Sequence, residues 1–155
     1  SSDLIPYETE YTETPLLKIG DEEVTREGGG SPLNQSFNYM STHPAAYRQL
    51  KDSPENVAKI RAAELSLEAQ DYWYIPKSDL QRCVSGIHDG DVIAFCSSAA
   101  GLDIAHAGIA LWEGGTLTFI NASLTHKKVE VNPGSLVSYI TPIKSQTGIR
   151  VIRLR

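Results

Sequence analysis

Two side chains in this sequence have the types and spacing to act together on a nucleophile. His106 follows a loop running from Ser97 to Ala105 and opens the apolar run Ala107-Gly108-Ile109-Ala110-Leu111-Trp112. Glu113-Gly114-Gly115 reads as a hairpin turn, and Leu117-Thr118-Phe119-Ile120-Asn121 as the return strand. Folding back about that turn brings position 121 beside position 106 on paired strands. An Asn side-chain oxygen can accept a hydrogen bond from one imidazole nitrogen and fix the tautomer. The other nitrogen is then left to act on a thiol. This is the base-and-orienter part of a Cys-His-Asn arrangement. A structural His–Asn contact across a hairpin fits the same pair, and the two residues alone do not separate these readings.

The matching nucleophile is harder to place. The sequence has two cysteines, Cys83 and Cys96, and none in residues 1–82. A thiol becomes reactive where a helix N-terminus or a cation stabilises the thiolate. Cys83 falls in a turn. Cys96 ends an apolar strand ten residues before His106, no helix follows it, and it reads as a small buried side chain. The two are 13 residues apart, which gives neither a Cys-x-x-Cys pair nor a metal spacing. His43 reads as a helix-start residue, His88 as a turn residue and His126 as a loop residue, with no metal-ligand constellation. Neither a cofactor nor a metal is expected.

The elements that must hold these residues follow an α+β order, helices first and an antiparallel sheet second. Residues 1–36 are rich in Thr, Glu, Gly and Pro and read as an arm or connector. Gly28-Gly29-Gly30-Ser31-Pro32 is a loop there, without the flanking strand and helix that a phosphate cradle needs. Residues 37–155 form the domain. Pro44 starts a short helix over 44–50. Ser53-Pro54 caps and starts a longer one over 54–69, where Val57, Ile60, Ala63, Glu64 and Leu67 follow helical spacing and give an apolar stripe to pack on a sheet. Strands are expected at 72–75 (ended by Pro76), 91–96, 107–112, 117–121, 127–131 and 149–154. Short turns are expected at 84–87 and 135–140.

Bulk properties narrow the function classes. At 155 residues the chain suits one domain with a continuous core. The net charge of −5 provides no basic face for phosphates, which argues against nucleic acid as a partner. No apolar run approaches the roughly 20 residues of a membrane span. Ser1-Ser2-Asp3 does not read as the start of a signal peptide, which fits a mature or trimmed form.

The residues around His106 add more. Gly90-Asp91-Val92-Ile93-Ala94, then His106-Ala107-Gly108-Ile109-Ala110, then Phe119-Ile120-Asn121-Ala122-Ser123 resemble the NlpC-type, papain-like cell-wall peptidases. There a Gly-Asp strand precedes a His-Gly strand, and a polar residue stands just before Ala-Ser. The fuller resemblance is to the N-acetylmuramoyl-L-alanine amidase-like branch, long known as a domain of unknown function. Asn38-Tyr39-Met40-Ser41-Thr42-His43-Pro44, Tyr74-Ile75-Pro76-Lys77, Gly101-Leu102-Asp103-Ile104-Ala105-His106 and Thr147-Gly148-Ile149 carry it, over about residues 33–155. The resemblance implies His106 as the general base and Asn121 as the residue that orients it, where the family more often has His. Asp103 would steer a substrate amine or cap the turn. The family's nucleophile sits upstream, in an Asp-Cys-(Thr or Ser) motif that opens a helix, and no such motif occurs here.

Three readings follow. The chain is the catalytic sheet of a peptidoglycan amidase or peptidase, a half-barrel whose Cys-bearing helical half comes from an upstream segment or a second chain. Alternatively it is a non-catalytic cell-wall-binding relative, or a standalone hydrolase using Cys96. The expected partners are peptidoglycan fragments, and the compartment the resemblance implies is periplasmic or extracellular. If a helical half is missing, the sheet face it covered should expose apolar side chains.

Overall fold

The computed structural model describes residues 21–154. Strands β1 (Asp21–Glu23) and β2 (Ser31–Leu33) come first, then helices α1 (Tyr39–Thr42) and α2 (Pro54–Glu68). Strand β3 (Tyr72–Pro76) leads into the short helix α3 (Leu80–Cys83). Strands β4 (Val92–Ser97), β5 (Ile104–Glu113), β6 (Thr116–Ser123) and β7 (Lys128–Val131) follow. Helix α4 (Leu136–Ile140) and strand β8 (Gln146–Leu154) close the fold.

The sheet runs β2-β3-β8-β4-β5-β6-β7, with β1 also pairing β8, and its ladders are antiparallel. This is the expected α+β class. The expected arm or connector lies outside the described residues up to position 20. From position 21 it enters the sheet: β1 pairs β8 and β2 pairs β3.

Helix α2 forms where its cap predicts. The Asn56 amide donates to Ser53 Oγ at 3.3 Å, and Pro54 occupies the first turn. The apolar stripe does not become the helix's buried face, however. Val57, Ile60 and Leu67 are half-buried, and the buried residue is Glu64. Its carboxylate accepts from the backbone N–H and the hydroxyl of Ser41, so it ties α1 to α2. The helix expected over 44–50 is a single 3₁₀ turn, Pro44–Ala46. Tyr47 takes an extended conformation (φ −121°, ψ 121°), which stops propagation after one turn.

One face of the sheet carries the core. Ile93 and Phe95 of β4, Ile149 and Val151 of β8, and Leu117 and Phe119 of β6 pack with Leu136 and Ile140 of α4 and with Leu80 and Ile87. The motif Gly90-Asp91 anchors one end of this layer. Asp91 Oδ1 and Oδ2 accept from Arg153 at 2.9 and 2.7 Å, and Oδ2 accepts from the His88 amide at 2.8 Å. Burial alone would raise this carboxyl, but the hydrogen bonds from Arg153 and His88 outweigh it and hold it below the ordinary carboxylate range.

On the opposite face, Tyr72 packs on Phe37, with ring centroids 5.1 Å apart, and the Arg150 guanidinium lies 4.5 Å over the Tyr72 ring. Farther along that face the row Ile109–Ile120–Val131 crosses β5, β6 and β7. There Ile109 is 39% exposed, Val131 40% and Val129 72%. Among the described residues no helix is long and apolar enough to cross a membrane.

Candidate functional site

The β5–β6 hairpin delivers the pair that the spacing predicts. Gly114 and Gly115 both adopt positive φ, 55° and 80°, as a tight two-residue turn requires. The ladder from Glu113↔Thr116 to Ile109↔Ile120 then carries Asn121 toward His106. His106 Nε2 and Asn121 Oδ1 lie 3.0 Å apart. Gly108 makes the approach possible. A Cβ there would sit 2.6 Å from Phe119 Cδ2 and 2.9 Å from the Ile120 carbonyl.

The strand begins earlier than the sequence suggests, and an irregularity explains why. β5 starts at Ile104, but its pairing with β4 shifts between Phe95↔His106 and Cys96↔Ile104. Ala105 is thus an extra residue, a β-bulge immediately before the histidine. A bulge bends its strand and re-aims neighbouring side chains, and such kinks recur beside active sites. A second shift separates Cys96↔Gly148 from Ser97↔Gln146, with Thr147 extra on β8. Both bulges lie at the same end of β4.

Aromatic rings back the imidazole. The His106 ring centroid is 5.7 Å from that of Phe95 and 6.5 Å from that of Tyr139. Phe119 in turn packs on Phe95 and Tyr139 at 5.1 and 4.8 Å. Tyr139 is delivered by α4, whose Ser135 cap accepts from the Ser138 amide at 3.0 Å. His106 is therefore held from behind by apolar surface and from one side by Asn121. The rest of the ring faces a cavity of about 340 Å³.

That cavity has a second polar wall. Glu130 on β7 is the register partner of Asn121, and its carboxylate is paired with His126 Nδ1, with Lys128 Nζ at 3.6 Å. The hydrogen bond to His126 holds the Glu130 carboxyl below its ordinary range; partial burial opposes this and Ser123 assists it. Ser123, Asn132 and Gln146 also line the space. His126, read from sequence as a loop residue, and Glu130 and Gln146, which no motif marks, thus join His106 only through strand pairing.

The other sequence candidates lie elsewhere. Asp103 is not among the residues lining this cavity. Its carbonyl accepts from the Ser97 amide at 2.8 Å, so it shapes the loop before the bulge. Its carboxylate acts on Tyr47, whose hydroxyl pKa is raised first by burial and then by Tyr39, Glu64 and Asp103. The loop beside it is docked on the Asn38-Tyr39 segment, whose two amides donate to the Gly101 carbonyl at 3.0 Å each. Cys96 is 0% exposed, and Cys83 is also buried; neither forms a disulfide. No group of three or more His, Cys, Asp or Glu side chains suited to a metal occurs among the described residues.

A family model described as N-acetylmuramoyl-L-alanine amidase-like matches residues 8–149. A solved structure described as an N-acetylmuramoyl-L-alanine amidase from Bacteroides uniformis is 40% identical, with a TM-score of 0.81, over 87% of this chain and 57% of that one. A structure from Bacteroides fragilis described as a putative xylanase is 39% identical, with a TM-score of 0.80, over 86% of this chain and 59% of that one. A protein from Legionella pneumophila shares the fold, at 19% identity and a TM-score of 0.56, over 86% of this chain and 56% of that one. The chain thus spans between 56 and 59% of the length of these solved structures. No curated protein matches it.

Proposed function

This chain belongs to the N-acetylmuramoyl-L-alanine amidase-like family, and we propose that it supplies the histidine half of a cysteine-type peptidoglycan amidase or peptidase site. The observation that carries this reading is the 3.0 Å contact between His106 Nε2 and Asn121 Oδ1 at the wall of an open cavity. With the Nε2–H donating to Asn121, the neutral ring keeps its lone pair on Nδ1. Nδ1 takes the proton of a thiol, and the thiolate attacks the carbonyl carbon of an amide in a peptidoglycan fragment. The imidazolium then gives that proton to the departing amine, leaving a thioester. His106 next deprotonates water for attack on the thioester, and the imidazolium returns that proton to the departing thiolate, which frees the carboxylic acid product and restores thiol and neutral imidazole.

Cys83 and Cys96 are the sequence's two cysteines, and both are buried. A thiol that meets a substrate must be reachable, so the nucleophile in this reading comes from a further segment or a second chain. Its fitting environment is a helix N-terminus facing Nδ1. For Asp103 two roles stay open in this reading, steering a substrate amine or capping the turn, and its carbonyl bond from the Ser97 amide supports the second. A peptidoglycan substrate places the protein in the periplasm or outside the cell. The burial of both cysteines also favours a second reading, a cell-wall-binding relative that keeps the cleft without the reaction. The Cys96 reading finds no support in a thiol that is fully buried.

The test is release of amine from a peptidoglycan-derived peptide. The chain alone is expected to give no turnover. Mixed with an upstream segment or second chain that bears a cysteine, it is expected to turn over, and His106→Ala should lower that rate by roughly 10³-fold or more. Turnover by the chain alone that disappears in Cys96→Ser would overturn the proposal. An inactive mixture would favour binding without catalysis.

A further inference from the structure

Gln146 is the first residue of β8 and lines the same cavity as His106, Ala105 and Tyr139. It is 6% exposed, and no donor among the described residues meets its buried Oε1. A buried amide left unbonded costs free energy, so most such groups have partners and each exception calls for a reason. The backbone here is not loose. The Gln146 amide donates to the Ile143 carbonyl at 3.2 Å, and the preceding Ser145 carbonyl accepts from Ser98 at 2.9 Å. The side chain is directed by the bulge at Thr147, which breaks the β4–β8 register between Gly148 and Gln146. The bulge at Ala105 does the same beside His106 across β4. Two separate distortions of the sheet therefore converge on one cavity wall, one beside the base and one beside an unbonded carboxamide oxygen.

A carboxamide has a donor and an acceptor side by side in one plane. The uncharged partner that matches both is one extended residue of a peptide, whose own N–H and C=O point to the same side of the chain, so that the N–H meets Oε1 and the C=O meets Nε2. The terminal torsion of Gln is soft, so a small rotation turns this edge to the cavity. We infer that Gln146 is a substrate-recognition residue that binds the main-chain N–H and C=O of one peptide residue of the substrate through its side-chain carboxamide, beside His106. This inference rests on the reading of the cavity as a peptide site and adds the residue that holds the peptide.

The test uses the full chain and needs no hydrolysis. The probes are an N-acetyl dipeptide N-methylamide and the depsipeptide in which the central N–H is replaced by oxygen, each titrated by NMR. Wild type is expected to bind the peptide at least tenfold more tightly than the depsipeptide. Gln146→Met, similar in shape and apolar, is expected to bind both alike and to keep or raise the melting temperature, because it removes an unbonded buried group. A residue that serves the fold alone gives the opposite pattern: a lower melting temperature with the preference retained. Wild type that binds neither probe, or does not prefer the peptide, overturns the inference. So does a Gln146→Met variant that still discriminates or that melts lower. N-acetylglucosamine carries a single secondary amide on a sugar, and Gln146-dependent binding of it in preference to the peptide also overturns the peptide assignment. Failure here leaves the hydrolysis test intact, since that test turns on His106 and a thiol. Failure of hydrolysis leaves the peptide-over-depsipeptide preference to stand or fall alone.

Discussion

The two sides of the sheet solve different problems. In β3, β8 and β4, one face carries the main core and the other is covered by Phe37, Tyr72 and Arg150. Phe95 and Ile149 there are fully buried. In β5, β6 and β7 the inner face passes from core at Ala110, Leu117 and Phe119 to the cavity at His106, Asn121 and Glu130, while the outer face leaves Ile109, Val129 and Val131 exposed. His106 stands at the seam, paired with Phe95 on one side and reaching Asn121 on the other. The difference teaches where a base can be built: close enough to rigid packing to be aimed, and close enough to an open edge to be reached. The Ala105 bulge marks that boundary.

If this division is real, perturbing the packed side should cost stability, and perturbing the open side should cost little. The largest effect is expected from Phe95→Ala. Phe95 packs on Phe119, Tyr139 and His106, so its loss should lower stability by about 3–5 kcal/mol in denaturant unfolding. A loss under about 1 kcal/mol would mean that the centre is not the rigid support described here.

Asp91→Asn is expected to come next, at about 2–3 kcal/mol near neutral pH, because it leaves the Arg153 guanidinium without its anion. The sign of the pH dependence follows from the depressed carboxyl. A carboxyl held lower in the folded than in the unfolded state stabilises the fold above its ordinary pKa, about 4, and that gain is lost as pH falls through the folded value. The gap between wild type and Asp91→Asn should therefore be full at neutral pH and close in acid. A gap that widens in acid would contradict the assignment.

The smallest effect belongs to the outer face. Val129→Thr keeps the strand preference at a site 72% exposed and should change stability by no more than about 0.5 kcal/mol. A cost several times larger would show that something packs on this face in solution.

Much of the site's geometry was legible in the sequence because it depends on local rules. A two-glycine turn between apolar strands fixes the hairpin, and counting outward from it sets 121 opposite 108, one same-face step from 106. The Ser53-Pro54 helix start and the Ser135 turn were legible for the same reason. The bulges were not, since an extra residue shows only against the strand opposite. Asp21-Glu22-Glu23 and Ser31-Pro32-Leu33 read as loop because such short segments have no periodicity, and it is the edges of β8 and β3 that make them strands. Glu64 broke the pattern because its burial depends on Ser41, 23 residues earlier. His126, Glu130 and Gln146 reached the cavity through strand pairing and a bulge that no motif announces.

The central claim is that Asn121 sets His106 as a base by taking the Nε2 proton. Nitrogen NMR of the imidazole in the full chain, in wild type and Asn121→Ala at a pH where the ring is neutral, tests it directly. The account predicts that wild-type His106 is protonated on Nε2 and bare on Nδ1, and that Asn121→Ala becomes a tautomer mixture without unfolding. A wild-type ring protonated on Nδ1, or a tautomer unchanged by losing Asn121, would contradict it.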